Sequence, residues 1–255
     1  MNLLFIGDVV GQSGCDFLES RMYKLKREYD IDVTVVNGEN SAQGNGITPQ
    51  SYRQLLNMGA DVVTTGNHSF RRREAEELYD TNEQLLRPVN YPEGVMGHGV
   101  TYIDMCPYKI AVVNLMGTMY MEAVENPFNY VDKLLESIDT PNIIVDFHAE
   151  ATSEKKAMGF YLQKRCTAVL GTHTHVQTAD EMILGGNPAY ITDVGMTGPE
   201  LSVLGVDSDI VINKFKYRTP VRFSESTNDC FINGVVVKFD EKSGKATNIQ
   251  RVIKR

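Results

Sequence analysis

Short apolar runs, each closing on glycine or a polar side chain, constrain this chain more than any other feature. They occupy residues 2–6, 33–36, 61–65, 142–147 and 168–171. Each is too short for a helix and long enough for a buried strand. The stretches between them keep another period. From Ser13, the apolar residues Phe17, Leu18, Met22 and Leu25 recur at helical spacing. Thr48 can cap a helix that Pro49 opens and Gly59 ends. Further helices are expected over 72–82, over 129–138, and from a Ser153 cap through 163. Residues 100–105 and 109–115 read as paired strands around Cys106-Pro107. Residues 190–192 read as a strand and 193–199 as a loop by composition, while the period does not decide between helix and strand for 209–215. Glu241-Lys242-Ser243-Gly244 is a hairpin signal between strands 230–239 and 246–253. The alternation defines an α/β fold with an antiparallel end. There is no internal repeat or linker, so residues 1–255 are expected to form a single domain.

Composition narrows the function classes. No run of about 18 or more apolar residues exists, so no membrane span is expected. The chain enters its first apolar run without a basic leader, which points to a cytoplasmic protein. Cys15, Cys106, Cys166 and Cys230 lie far apart and form no CxxC pair, as expected of reduced thiols. A net charge of -8 disfavours a general nucleic-acid coat. It leaves room for a small phosphorylated substrate held by metals.

The chemistry-bearing residues recur in one place. Asp8, Glu39, Asn67, His148 and the pair His173/His175 lie at or just beyond the ends of apolar runs. In open α/β sheets the crevice outside the strand carboxyl ends is where ligands bind. Of the five histidines only His98, between two glycines, lacks such a setting, and it reads as a loop residue. In Gly171-Thr172-His173-Thr174-His175 a strand delivers two imidazoles, two positions apart, into a turn. Taken singly, Asp8 or Glu39 could be turn residues and His148 a satisfied core histidine. As a set, the carboxylates, amides and imidazoles are too many for one four-coordinate ion and suit two. Two metals about 3.5–4 Å apart can clamp the attacking and leaving oxygens of a phosphoryl displacement.

The order Asp8, Glu39-Asn40, Gly66-Asn67-His68, His148, Gly171-Thr172-His173-Thr174-His175 resembles the calcineurin-like metallophosphoesterases, and within them the YmdB-like family of bacterial phosphodiesterases. The resemblance extends to residues 145–155, 174–180 and 192–199. It implies two packed mixed β-sheets flanked by helices, a four-layer sandwich. It implies one metal on Asp8, Asn40 and His175, another on Asn67, His148 and His173, and Glu39 bridging them. It also implies hydrolysis of small nucleotide phosphodiesters, 2′,3′-cyclic nucleotides above all, by metal-activated hydroxide with His68 as proton donor. A phosphomonoesterase on the same site, or a metal- or nucleotide-binding regulator that needs no turnover, are the rival functions. A homo-oligomer is expected.

The wider superfamily carries Asp-x-His in its first motif and an aspartate in its second. Here Val9-Val10 follows Asp8, and Glu39-Asn40 takes the second place. The YmdB-like family shares both changes. The two ions are expected to be divalent or of mixed valence, with iron or manganese favoured by the oxygen-rich set and zinc as an alternative. Arg71-Arg72-Arg73 departs from the relatives, which carry an aromatic residue and an acid there. The favoured expectation is a solvated basic turn balanced by Glu74, Glu76 and Glu77; the other is a contact to nucleotide phosphate or RNA.

Overall fold

A computed structural model describes residues 1–255. The chain opens with β1 (Asn2–Ile6) and the short β2 (Asp8–Val9), followed by α1 (Gly11–Glu28) and β3 (Val33–Asn37). Then come α2 (Pro49–Asn57), β4 (Val62–Thr64), a 3-10 turn (Arg73–Ala75), α3 (Glu76–Thr81) and β5 (Leu85–Leu86). The next part carries β6 (Val100–Asp104), β7 (Lys109–Met116), α4 (Pro127–Ser137), β8 (Ile143–His148), α5 (Thr152–Tyr161) and β9 (Ala168–Thr172). The last part has β10 (Met182–Ile183), β11 (Ala189–Ile191), β12 (Met196–Pro199), α6 (Ser208–Tyr217), β13 (Cys230–Asp240) and β14 (Lys245–Lys254).

These strands form two sheets. One runs β2-β12-β13-β1-β3-β4-β5 with β14 on β13; the other runs β10-β11-β9-β8-β7-β6. Both are mixed. In the first, β1, β3, β4 and β5 are parallel, and β13 is antiparallel to its neighbours β1, β12 and β14. In the second, β11, β9, β8 and β7 are parallel, with antiparallel β10 and β6 at the edges.

Strand periodicity sorts the apolar side chains into three layers of contact. Leu3 and Phe5 of β1 and Val35 of β3 meet Val112 of β7, Ile144 of β8 and Leu170 of β9 between the sheets. The alternate residues Leu4, Ile6 and Val36 face outward onto Leu18 and Met22 of α1 and Leu55 of α2. On the far side, Val113, Val145 and Phe147 pack against Val131 of α4 and Met158 of α5. The result is helix, sheet, sheet, helix. Each fully buried aliphatic or phenyl side chain contributes roughly 1.5–3 kcal/mol relative to exposure.

Several local expectations hold. Thr48 Oγ1 accepts from Ser51 N at 3.1 Å while Ser51 Oγ accepts from Thr48 N at 3.0 Å, a reciprocal cap on α2. Gly59, after that helix, has the left-handed φ of 103°. All four cysteines are free. No helix is long and apolar enough to cross a membrane.

Others need correction. Residues 193–199 are not all loop: β12 pairs with β2 on one side and β13 on the other. Residues 209–215, whose period leaves helix and strand open, are decided rather than corrected: they lie in α6, which Asp207 caps by accepting from Asp209 N and Ile210 N. Ser153 is not a cap, because α5 starts one residue earlier with Ala151 at its cap position and no side-chain capping bond. The helix expected over 72–82 is divided, and α3 begins only at Glu76, so Glu76 and Glu77 rather than the arginines occupy its first turn. That arrangement agrees with the macrodipole.

Candidate metal centre

The parallel strands of both sheets end on one rim. The first sheet places Asp8 on β2, Glu39 and Asn40 just after β3, and Asn67 and His68 after β4. The second places His148 at the end of β8, and His173 and His175 just after β9. All eight expected site residues are brought together there, with Asp8, Glu39 and His148 fully or almost fully buried.

Glu39 is the hub. Its Oε1 lies 3.1 Å from His68 Nδ1 and 3.2 Å from His148 Nε2, and it accepts from Asn40 Nδ2 at 3.2 Å. Its Oε2 accepts from the His68 backbone N–H at 3.2 Å. His148 Nε2 also faces Asn67 Oδ1 at 3.0 Å and His173 Nδ1 at 3.1 Å. Glu39, His148 and His173 thus offer ligand atoms all within 4.8 Å of one another. Gly66 makes this approach sterically possible. A Cβ there would sit 2.2 Å from His148 Cδ2 and 2.4 Å from Glu39 Oε2.

Outer partners fix the ring tautomers, which is a recurrent device around metal-binding histidines. Thr172 Oγ1 donates to Asp146 Oδ1 at 2.7 Å, and so accepts from His148 Nδ1–H at 2.9 Å. Asp146 Oδ2 accepts in turn from Thr64 Oγ1 and from Asn37 Nδ2 at 3.0 Å. His173 Nε2 faces Glu150 Oε2 at 3.0 Å, which turns Nδ1 inward as an acceptor. His175 Nδ1 donates to the Leu204 carbonyl at 3.2 Å, leaving Nε2 directed at Asp8 Oδ1, 3.7 Å away, and at Asn40 Nδ2, 3.2 Å away.

The electrostatics point the same way. Burial pushes the Asp8 carboxyl up, and its Oδ1 has no hydrogen-bond partner although it is buried. Burial would also raise Glu39, yet the charge and hydrogen bonds of His148 and His68 hold it well below the usual carboxylate range. Burial opposes charge on His148, but Glu39 overcomes it and lifts the imidazole to about 9. His173, partly buried and beside that charge, falls to about 3. The donor set therefore favours one positive charge at its centre. A proton on His148 Nε2 serves one of three acceptors at a time, whereas a cation serves all of them. The residues fit a metal. One end differs: Asn40 presents Nδ2, not Oδ1, to His175, so coordination there requires the amide to turn over.

The turn that carries the two histidines is held against its own strain. His173 and His175 have φ of 104° and 64°, conformations that cost roughly 1–3 kcal/mol each in non-glycine residues. Between them Thr174 donates to Asp193 Oδ2 from its backbone N at 3.0 Å and its hydroxyl at 2.8 Å. Buried Lys155 donates to the same oxygen at 2.6 Å, and Gly195 N donates to Oδ1 at 2.8 Å. Sequence reasoning missed Asp146, Thr172 and Asp193, and it assigned no chemistry to Glu150 and Lys155, which follow His148 closely enough to orient ligands or cap a helix. Asp146 left a signal of its own, an acid inside an apolar run two positions before His148 and so on the same strand face.

The basic triplet is not a turn balanced by neighbouring acids. No ion pair joins Arg71, Arg72 or Arg73 to Glu74, Glu76 or Glu77. Arg72 instead donates to the Asn45 carbonyl at 2.9 Å and to the Gln43 carbonyl, pinning the loop at the cleft mouth. His98 is a loop residue facing the Glu83 carbonyl at 3.0 Å.

Two sheets packed face to face between helices, with acid, amide and imidazole donors on one shared rim, make the fold of the calcineurin-like metallophosphoesterases. A family model described as YmdB-like protein matches residues 4–252, and the chain belongs to that family. It is 45% identical to a 2′,3′-cyclic-nucleotide 2′-phosphodiesterase of Bacillus subtilis over 99% of this chain and 97% of that protein. A novel phosphatase of Mycoplasma pneumoniae has the same fold with a TM-score of 0.95 and 32% identity, covering 99% of this chain and 92% of that one. A hypothetical protein of Thermus thermophilus superposes with a TM-score of 0.94 and 35% identity, covering 99% and 98% of the two chains.

Proposed function

We propose that residues 1–255 form one metallophosphoesterase domain that hydrolyses small nucleotide phosphodiesters, 2′,3′-cyclic nucleotides above all. The likeness to the Bacillus enzyme supports the substrate class. The observation that carries the chemistry is the placement of His68. Its Nδ1 is taken by Glu39 Oε1 and Asn40 Oδ1, at 3.1 and 3.0 Å. Its Nε2 is left without a protein partner, in a residue that lines the open cleft beside His175. A pure binding site has no use for a proton donor held in this way.

Asp8, Asn40 and His175 would hold one cation, Asn67, His148 and His173 the other, and Glu39 would be shared. The bound cations would supply positive charge to the phosphate and make hydroxide accessible near neutral pH. Around them, Thr172 and Glu150 orient the rings so that the inner nitrogens of His148 and His173 face the site where a cation would displace the proton. Glu39 orients His68 through Nδ1 so that its Nε2 can pass a proton to the departing ribose oxygen, help worth typically 10²–10⁴-fold. The oxygen-rich donor set favours iron or manganese over zinc. Free cysteines favour a cytoplasmic setting, and the exposed Ile212, Phe215 and Tyr217 of α6 favour a homo-oligomer. A contact to RNA would fall to Arg71 and Arg73, since Arg72 is already engaged.

The test is purified protein of measured metal content, assayed on 2′,3′-cyclic AMP, a generic diester and a monoester, with His68→Ala alongside. Turnover of the cyclic nucleotide, reduced at least a hundredfold in the variant, is expected. Metal-loaded protein inert on all three, or His68→Ala equal to wild type, would refute the diesterase chemistry. Preference for the monoester would favour the phosphatase alternative that the Mycoplasma name suggests.

A further inference from the structure

The cleft that exposes His68 and His175 is apolar over part of its wall. Leu204, Val206 and Phe223 line it, together with Asn45. Phe223 is 45% exposed, so its ring is accessible to a ligand in the cleft. The ring is placed, not loose. The residues after it are pinned: Asp207 N donates to the Ser224 carbonyl at 3.0 Å, and Ser226 N donates to the Gly205 carbonyl at 2.9 Å. Glu225 between them accepts from Ser13 N at 3.3 Å and from the Ser13 hydroxyl. The Lys214 ammonium lies 4.4 Å from the Phe223 ring centroid and is not among the cleft-lining groups. No other aromatic ring packs on Phe223, a lining residue of the cleft.

We infer that this wall is a nucleobase subsite, with Phe223 as the stacking platform and Lys214 as the cation that holds its ring. The inference rests on the diesterase function proposed above and adds what the metal centre alone does not supply. In a 2′,3′-cyclic nucleotide the phosphate and the base sit on opposite sides of one furanose ring. A phosphate held between His68 and the metal donors therefore projects its base along the cleft. A phenyl face accepts any base, because each has a π-face, and Asn45 offers both a donor and an acceptor to the base edge. The Lys214 ammonium over the ring adds a cation–π contact that holds the platform in place. Discrimination should be shallow: purines above pyrimidines, with no single base excluded.

The experiment separates base recognition from catalysis. KM and kcat are measured for 2′,3′-cyclic AMP and for the cyclic phosphate of anhydroerythritol, which keeps the furanose ring and lacks the base. Binding of adenosine 3′-monophosphate and of inorganic phosphate is measured by calorimetry on the same metal-loaded protein. In Phe223→Ala, KM for the cyclic nucleotide should rise about tenfold with kcat nearly unchanged, and adenosine 3′-monophosphate should bind about tenfold more weakly. Phe223→Trp should restore both. The base-free substrate and inorganic phosphate should change less than about twofold. Equal losses on both substrates, or no loss on either, overturn the subsite. Wild-type protein that binds the nucleotide through Phe223 yet cleaves no diester leaves the subsite standing and refutes the diesterase chemistry instead. Wild-type protein that binds nucleotide no better than inorganic phosphate overturns the subsite.

Discussion

Replacing Lys155 by Met should unsettle the histidine turn from below. Lys155 and Asp193 are each about 1% exposed, and their charged atoms meet at 2.6 Å. Methionine keeps the length and apolar stem of lysine and removes the charge. Breaking a buried pair by removing one partner costs about 3–5 kcal/mol, because the remaining charge is stranded. Here the lower end is expected, since Asp193 keeps Thr174 N, the Thr174 hydroxyl and Gly195 N as donors. About 3 kcal/mol in a chain of this size corresponds to a melting temperature roughly 6–12 °C lower. The second consequence is local. With the Lys155 charge gone, Asp193 holds Thr174 by hydrogen bonds alone, and the positive φ angles on either side of it are less firmly held. Metal affinity should therefore fall together with stability. Urea unfolding of wild type, Lys155→Met, Asp193→Asn and the double variant, at one fixed metal concentration, gives the coupling. The double variant should recover much of the loss, as it strands no charge. A Lys155→Met protein within about 0.5 kcal/mol of wild type, or a double variant whose losses simply add, would refute this account of the turn.

Two further outcomes are expected. Thr172→Val keeps the side-chain shape and cuts the link from His148 Nδ1 to Asp146, so metal affinity should drop about 10- to 100-fold in competition with a chromophoric chelator; an unchanged affinity would remove Thr172 from the orienting chain. Burial pushes the Cys15 thiol from its ordinary 9.0 up to about 12. The unfolded chain therefore releases that proton first. The stability this thiol contributes is complete below about pH 9 and is lost as pH rises toward about 12, by up to about 1.4 kcal/mol per pH unit. Cys15→Ala should flatten that alkaline slope in urea titrations between about pH 8 and pH 10; an identical slope would show that other groups set it.

The strands and their polar ends were legible because burial on both faces leaves a continuous apolar run, and the residues just past such a run form a turn on a known rim. The α2 boundaries were legible for a different reason, since Thr48, Pro49 and Gly59 act through neighbours in sequence. The features that escaped depend on partners far along the chain. Strand β12 is made of Met, Thr, Gly and Pro and is a strand only because β2 and β13 flank it. Glu150 looks like any solvated acid until His173 is folded against it. Arg72 reads as surface charge, although its guanidinium is spent on carbonyls roughly 27 and 29 positions away. The eight residues expected at the site do gather there. The layer that orients them belongs to tertiary structure, and no spacing rule reveals it.

The donors divide by chemistry along the seam between the sheets. Asp8, Glu39, Asn40 and Asn67, all from the first sheet, offer oxygen, while His148, His173 and His175, all from the second, offer nitrogen. The first sheet's oxygens also emerge first during synthesis. Until β8 and β9 dock, they form only a hard, open set suited to abundant, weakly held cations. Under the proposed assignment the centre is complete only once both sheets have formed and packed, which for Asp8 includes the pairing of β2 with β12. Tight metal retention would then report that both sheets have closed in register.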